Sequence, residues 1–122
     1  MDNRQEIESI NVQIAFLSAL VFSVSIGLYA LFGYKDILIN GSSSRFSKKY
    51  LYDLGLLSAC ISLIVTIYFF ILSYDRYKSD ESRQENYDYY MASVLSLLAQ
   101  SIRVNTILKN PYDETLEAED II

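Results

Sequence analysis

Two residues of opposite charge, Asp53 and Arg103, have the types and positions that most directly suggest chemistry. Asp53 is the only acidic residue near the start of the second long apolar segment, and Arg103 is the only charged residue inside the apolar part of the third. Charged groups in apolar surroundings tend to pair, because an unpaired charge there costs free energy. In an antiparallel hairpin centred between Lys78 and Ser79, Arg103 would be level with Leu54, next to Asp53. The sequence therefore predicts an Asp53 to Arg103 ion pair, with the alternative that each side chain reaches polar surroundings separately.

Arg103 also belongs to a polar face on the third segment. Its members are spaced three and four residues apart, as on one side of a helix: Ser93, Ser96, Gln100 and Arg103. The other side of the same helix is apolar: Met91, Leu95, Leu98 and Ile102, with Val94 and Leu97 beside them. If several copies turned the polar face inward, these side chains would line a water-filled path and Arg103 would favour anions.

The composition argues against catalysis and bound cofactors. The chain contains no histidine and a single cysteine, Cys60, so the usual zinc, haem and copper ligand sets cannot be assembled within one chain. It has no Gly-rich phosphate loop, and its two most apolar segments contain no acidic residue. We therefore predict no catalytic residue, no metal site, no cofactor and no small-molecule substrate. Nucleic acid is an unfavourable partner because the net charge is -5.

The elements that position these residues are long apolar segments. The chain is 52% hydrophobic, and two uncharged blocks of about 20 residues cover 12–32 and 54–72. Such a block spans the roughly 30 Å hydrocarbon layer of a bilayer when it is helical. Tyrosines and phenylalanines flank both blocks, at the depth where aromatic rings favour the lipid headgroups. The sequence therefore predicts an all-α, multi-pass integral membrane protein with a hairpin of two transmembrane helices.

The third helix is long and amphipathic, and its placement decides the architecture. Ser82 to Glu85 fits a capping box at its start, and Pro111 disfavours helical geometry in the residue before it. A helix over 83–110 is about 40 Å long, enough to cross a bilayer. Crossing is the favoured placement; lying in the interface or packing on a partner outside the membrane are the alternatives.

The predicted organisation is a single membrane domain over residues 1–110. It contains helix 1 over 3–33, a loop over 34–47, helix 2 over 48–74 and helix 3 over 83–110, and an acidic mobile tail follows over 111–122. Ser47 is the predicted N-cap of helix 2.

Small side chains on the first two helices predict close helix packing. On helix 1 they recur at steps of four: Ala15, Ala19, Ser23 and Gly27. On helix 2 they form a comparable face: Gly55, Ser58, Ala59, Ser62 and Thr66. Small residues let two helix backbones approach, and hydroxyls can bond across the interface. The pattern does not say whether the partner helix belongs to the same chain.

Two functions are compatible with these features. The first is a non-catalytic membrane protein that acts by helix–helix assembly, as a homo-oligomer or as an accessory subunit of a larger membrane complex. The alternative is an oligomeric pore or holin-like permeabiliser lined by the polar face of helix 3. An internal Asp53 to Arg103 pair would favour assembly, because it would neutralise the charge that a pore would expose.

Overall fold

The chain folds into three long antiparallel α-helices. The structure is a computed structural model that describes residues 3–109. Helix α1 covers Asn3–Asn40, α2 covers Lys48–Ser79 and α3 covers Gln84–Lys109. The all-helical prediction is confirmed for the described range, and the predicted tail over 111–122 lies outside it.

Helix α2 lies between α1 and α3 and contacts both. We call the end of the bundle that holds residues 41–47 the loop end, and the end that holds residues 80–83 the turn end. The N-terminus of α1 lies at the turn end and the C-terminus of α3 at the loop end, because consecutive helices run in opposite directions.

All three helices are long and apolar enough to cross a membrane by length and composition. They contain 38, 32 and 26 residues, which correspond to about 57, 48 and 39 Å of helix. Each therefore exceeds the roughly 30 Å hydrocarbon layer, α1 by the most.

The described interior consists mainly of small residues and includes several polar ones, whereas the outside is largely aliphatic. The buried residues include Ser23, Ser58, Ser62 and Asn86. The exposed large side chains include most of the aliphatic residues of α1 and the apolar side of α3, such as Leu95 at 63% and Ile102 at 65% exposed. A water-soluble bundle buries most of its large aliphatic side chains and exposes polar ones. Here many large aliphatic side chains are exposed and several polar ones are buried, which favours an apolar surrounding.

Helix α1 continues seven residues beyond the predicted boundary, to Asn40. The side chain of Asp36 organises its end, because one carboxylate oxygen accepts a 2.7 Å hydrogen bond from Asn40 Nδ2 and the other accepts one from Ser44 Oγ. Gly41 then takes a φ of 56°, a left-handed conformation that glycine adopts without steric cost. The connection between the first two helices is therefore shorter than the predicted loop over 34–47.

Helix α2 begins as the sequence predicts. Ser47 has an extended backbone, and its Oγ accepts a 3.1 Å hydrogen bond from the Tyr50 amide. This bond satisfies one of the free amides of the first turn, so the N-cap prediction is confirmed.

The turn between α2 and α3 is organised differently from the predicted capping box. Ser82 donates both its amide and its hydroxyl to Asp80 Oδ1, at 3.3 and 2.6 Å, so the amide that Glu85 would bind in a capping box binds Asp80 instead. The first turn of α3 instead uses the carbonyl of Arg83, which accepts from the amides of Asn86 and Tyr87.

Asn86 joins the two helices at this turn. Its side chain is 5% exposed, and Nδ2 donates to the carbonyls of Asp80 at 3.0 Å and Arg76 at 3.4 Å. The last carbonyls of a helix have no partner within the helix itself. Asn86 on α3 therefore caps the end of α2.

Replacing Asn86 with alanine should lower the free energy of unfolding by about 0.5–1.5 kcal/mol, because it removes the hydrogen bond that the buried Asn86 amide donates to the carbonyl of Asp80. Asn105→Ala is the matched control, since Asn105 is exposed on the same helix. Unfolding titrations of both variants in mixed micelles measure the difference. Equal losses would contradict the capping role of Asn86.

Candidate helix-packing interface

Three serines form a buried hydroxyl cluster where α1 meets α2. Ser23 Oγ donates to the carbonyl of Ser58 at 2.6 Å, and Ser58 Oγ donates to the carbonyl of Ser23 at 2.8 Å. Ser23 Oγ also lies 2.7 Å from Ser62 Oγ. Because the only proton of the Ser23 hydroxyl goes to Ser58, the Ser62 hydroxyl is the donor in that contact. Each helix thus binds the backbone of the other, which requires close approach of the two helices.

The small residues of α1 separate into two groups. Ser23 is buried, and a Cβ added to Gly27 would lie 3.7 Å from Ser58 Oγ, so both contact α2. Ala15 is exposed and Ala19 is half-buried. Near the turn end the interface contains large rings instead, with Phe16 stacked on Tyr68 at 3.9 Å between ring centroids. The predicted stripe therefore packs only along its second half.

The contact continues towards the loop end through residues that the sequence analysis does not single out. Ala30 and Leu51 are fully buried, and Gly33 is buried against Leu51 and Phe46. The signal was present in the sequence, because Ala30 and Gly33 continue from Gly27 at steps of three. The predicted stripe omits them because it follows steps of four and ends at Gly27.

The small face of α2 occupies the centre of the bundle. Gly55, Ser58, Ala59 and Ser62 are all buried. Thr66 is half-buried, and its Oγ1 donates to the carbonyls of Ser62 and Leu63 within its own helix. For Ser58 and Ser62, the helix that α2 packs against is α1 of the same chain.

Asp53 and Arg103 are not brought together. Among residues 3–109 no carboxylate lies within 4.0 Å of the Arg103 guanidinium, and Arg103 Nε is buried without a hydrogen-bond partner. Tyr52 is the residue that reaches α3, where its hydroxyl donates to the carbonyl of Ile107 at 2.8 Å. Asp53 follows Tyr52 by one residue, which is about 100° around the helix, and it is exposed. The predicted register was nearly correct in height, but Asp53 points away from α3.

The polar face of α3 turns partly towards α2. The buried and half-buried residues of α3 recur at helical spacing and include Ser93, Gln100 and Arg103 together with Val94 and Leu97. Gln100 Oε1 is buried without a partner, and Ser93 Oγ donates to the carbonyl of Tyr89 in its own helix. Of the predicted pore face only Ser96 is exposed.

The apolar side of α3 faces outward. Met91, Leu95, Leu98 and Ile102 are between 38% and 65% exposed. An outward aliphatic side and an inward polar side suit a helix with lipid around it.

A cleft lies between the three helices in the half of the bundle nearest the turn end. Its volume is about 410 Å³. Most of its wall is apolar, and Arg76 and Tyr89 lie at its end near the turn. The remaining lining residues come from all three helices: Gln13, Leu17, Leu20, Val65, Thr66, Phe69, Leu72, Ser73, Ala92, Ser93 and Ser96.

No protein-family model, curated protein or solved structure matches this chain. The described part holds no group of three or more acidic or cysteine side chains arranged to bind a metal ion.

Proposed function

We propose that this chain is an integral membrane protein that crosses the bilayer three times and acts without catalysis, by helix–helix assembly with copies of itself or with a larger membrane complex. The observation that carries the proposal is the direction of α3. Its aliphatic side is exposed, and its polar side is turned towards α2. This arrangement supports assembly over a pore, because a pore needs the polar side to face water.

The interior of the bundle supports the same function. The hydroxyls of Ser23, Ser58 and Ser62 are used within the α1–α2 interface. Apolar burial does not drive helix association in lipid, so close packing and interhelical hydrogen bonds hold such a bundle together. The outward surfaces of α1 and α3 then remain for lipid or for another chain.

Arg103 gives a further reason to expect a polar contact from outside this chain. Its side chain is half-buried, about 9 Å along the helix from Lys109 at the end of α3. Its Nε has no hydrogen-bond partner among the described residues, and charged side chains within membrane helices tend to bind an acceptor. A carbonyl or carboxylate of a partner helix, or a lipid phosphate, would supply that acceptor.

An ion-flux measurement tests assembly against the pore alternative. Sealed vesicles that contain the full chain should leak chloride no faster than protein-free vesicles, because three of the four predicted pore-lining residues, Ser93, Gln100 and Arg103, are half-buried. A pore-forming peptide in the same lipid confirms that the assay detects flux.

Arg103→Glu is the diagnostic variant for this measurement. Under the assembly proposal it leaves flux at the protein-free level. Chloride flux through the wild type that Arg103→Glu converts to cation flux would overturn the proposal in favour of a pore, because the charge at position 103 would then lie in the conducting path.

A further inference from the structure

The cleft near the turn end is open towards the surroundings of the bundle. Its floor lies on α2, from Val65 to Arg76, and its walls belong to α1 and α3. Leu17 on one wall and Ala92 on the other are exposed, so the cleft opens sideways between the two helices. Its volume of about 410 Å³ lies within the range of about 300–1,000 Å³ that is usual for ligand sites.

The length of the cleft matches one half of a bilayer. Val65 and Arg76 lie eleven residues apart on α2, which is about 16 Å of helix. Half of the roughly 30 Å hydrocarbon layer is about 15 Å. The uncharged block of α2 ends at residue 72, so Arg76 lies about 6 Å beyond it, at the depth of the lipid headgroups. The cleft therefore runs from near the middle of the bilayer to its polar surface.

The deeper part of the cleft suits an apolar occupant. Three of the hydroxyls on its wall already donate to carbonyls of their own helices, namely those of Thr66, Ser73 and Ser93. These groups need no partner from a ligand, because each hydroxyl has a single proton to donate. A hydrocarbon chain can lie against them without leaving a donor unsatisfied.

Arg76 differs from other basic residues at the turn end. Three of these lie within 4.0 Å of a carboxylate of their own chain: Arg4, Lys78 and Arg83. Among residues 3–109, no carboxylate lies within that distance of Arg76. Its neighbour Asp75 is about 100° away around the helix and does not line the cleft. The guanidinium at the mouth of the cleft is therefore available for an anion.

We propose that the cleft binds one anionic phospholipid, with an acyl chain between α1 and α3 and the phosphate on the Arg76 guanidinium. A planar guanidinium can donate two parallel hydrogen bonds to a phosphate. Tyr89 is exposed at the same end of the cleft, where a tyrosine favours the headgroup region. Surrounding lipid chains are as apolar as the cleft, so the acyl chain contributes position and the charged headgroup contributes selectivity.

The inference goes beyond assembly, and of the proposed function it uses only the membrane crossings. The full chain in detergent, mixed with equal amounts of phosphatidylglycerol and phosphatidylcholine of identical acyl chains, tests it by native mass spectrometry. The protein should retain phosphatidylglycerol about fivefold over phosphatidylcholine, the selectivity expected from one arginine beside an anionic headgroup.

Arg76→Gln should reduce this preference to about that of a site without the arginine, with the two lipids retained equally. Arg83→Gln is the matched control, because it removes the same charge from the same end of the bundle at a residue that does not line the cleft. It should leave the preference unchanged.

A second pair of variants tests the position of the acyl chain. Ala92→Phe places a ring in the cleft and should reduce the amount of bound phosphatidylglycerol severalfold. Ala99→Phe is its control, since Ala99 is exposed two turns further along the same helix and does not line the cleft.

Three results would overturn the inference. Equal retention of the two lipids by the unmodified chain would exclude a selective site. Equal losses for Arg76→Gln and Arg83→Gln would show that net charge rather than the cleft attracts the lipid. Equal binding by Ala92→Phe and Ala99→Phe would place the lipid on another surface. Each result would leave assembly standing wherever impermeant labelling shows that α3 crosses the bilayer.

Discussion

Replacing Ser23 with leucine should separate α1 from α2. The Ser23 side chain is fully buried and takes part in hydrogen bonds with Ser58 and Ser62. A leucine there removes those bonds and forces a large side chain between two backbones in contact. We expect the free energy of unfolding to fall by about 3 kcal/mol, from overpacking of about 1–3 kcal/mol and interhelical hydrogen bonds of about 0.6 kcal/mol each.

Ser25→Leu is the control for this substitution. Ser25 lies two residues further along α1, is exposed, and bonds only the carbonyl of Val21 in its own helix. Energy transfer between dyes at Asn3→Cys and Ser82→Cys, both near the turn end, follows helix separation during titration with denaturing detergent. Equal shifts of the midpoint for the two leucine variants would contradict the central position of Ser23.

Replacing Gly33 with valine should have the second large effect. A Cβ at Gly33 would lie 2.7 Å from Leu51 Cδ2 and 2.9 Å from Phe46 Cδ1. Both distances are shorter than van der Waals contact, and Leu51 is fully buried with Ala30 against it, so it has little space into which to move. We expect a loss of about 2–3 kcal/mol for valine and less for alanine.

Gly27→Ala provides the contrast on the same helix. A Cβ at Gly27 would have Ser58 Oγ at 3.7 Å as its nearest neighbour, an ordinary contact. Alanine also favours the helix over glycine by about 1 kcal/mol. We expect Gly27→Ala to be neutral or stabilising in the same titration. A similar loss for Gly27→Ala and Gly33→Ala would show that the close approach at Gly33 is not what matters.

The two apolar helices were predictable because charge is absent from long segments, a signal that depends on composition alone. Their ends were less predictable. Helix α1 extends to Asn40 because the Asp36 side chain binds Asn40 and Ser44, and such a bond depends on three-dimensional geometry rather than on hydropathy.

The Asp53 to Arg103 prediction illustrates a second limit. An antiparallel register gives the height of a residue along a neighbouring helix, but one residue changes its direction by about 100°. The direction of Tyr52 towards Ile107 turns Asp53 outward. Asn86 could not be found from the sequence at all, since its role depends on carbonyls of α2.

The sequence predicts a polar and an apolar side for α3, but the pattern alone fits either side facing inward, and the structure places Val94 and Leu97 inward with the polar residues. The side of α3 that faces inward is set by its contacts with α2, which are the hydrogen bond from the Tyr52 hydroxyl and a group of aromatic rings at the turn end. Phe70, Tyr74 and Tyr77 of α2 meet the ring of Tyr90. The inward side of α3 therefore mixes aromatic, polar and aliphatic residues.

The most direct test of the account is the sidedness of α3, because the assembly proposal rests on three crossings. Single cysteines at Ser43, Ser82 and Lys109, in a Cys60→Ser background, can be labelled with an impermeant thiol reagent from each side of sealed, oriented vesicles. The account predicts that Ser43→Cys and Lys109→Cys react from one side and Ser82→Cys from the other. Reaction of Lys109→Cys from the same side as Ser82→Cys would show that α3 does not cross, and it would contradict the proposed architecture.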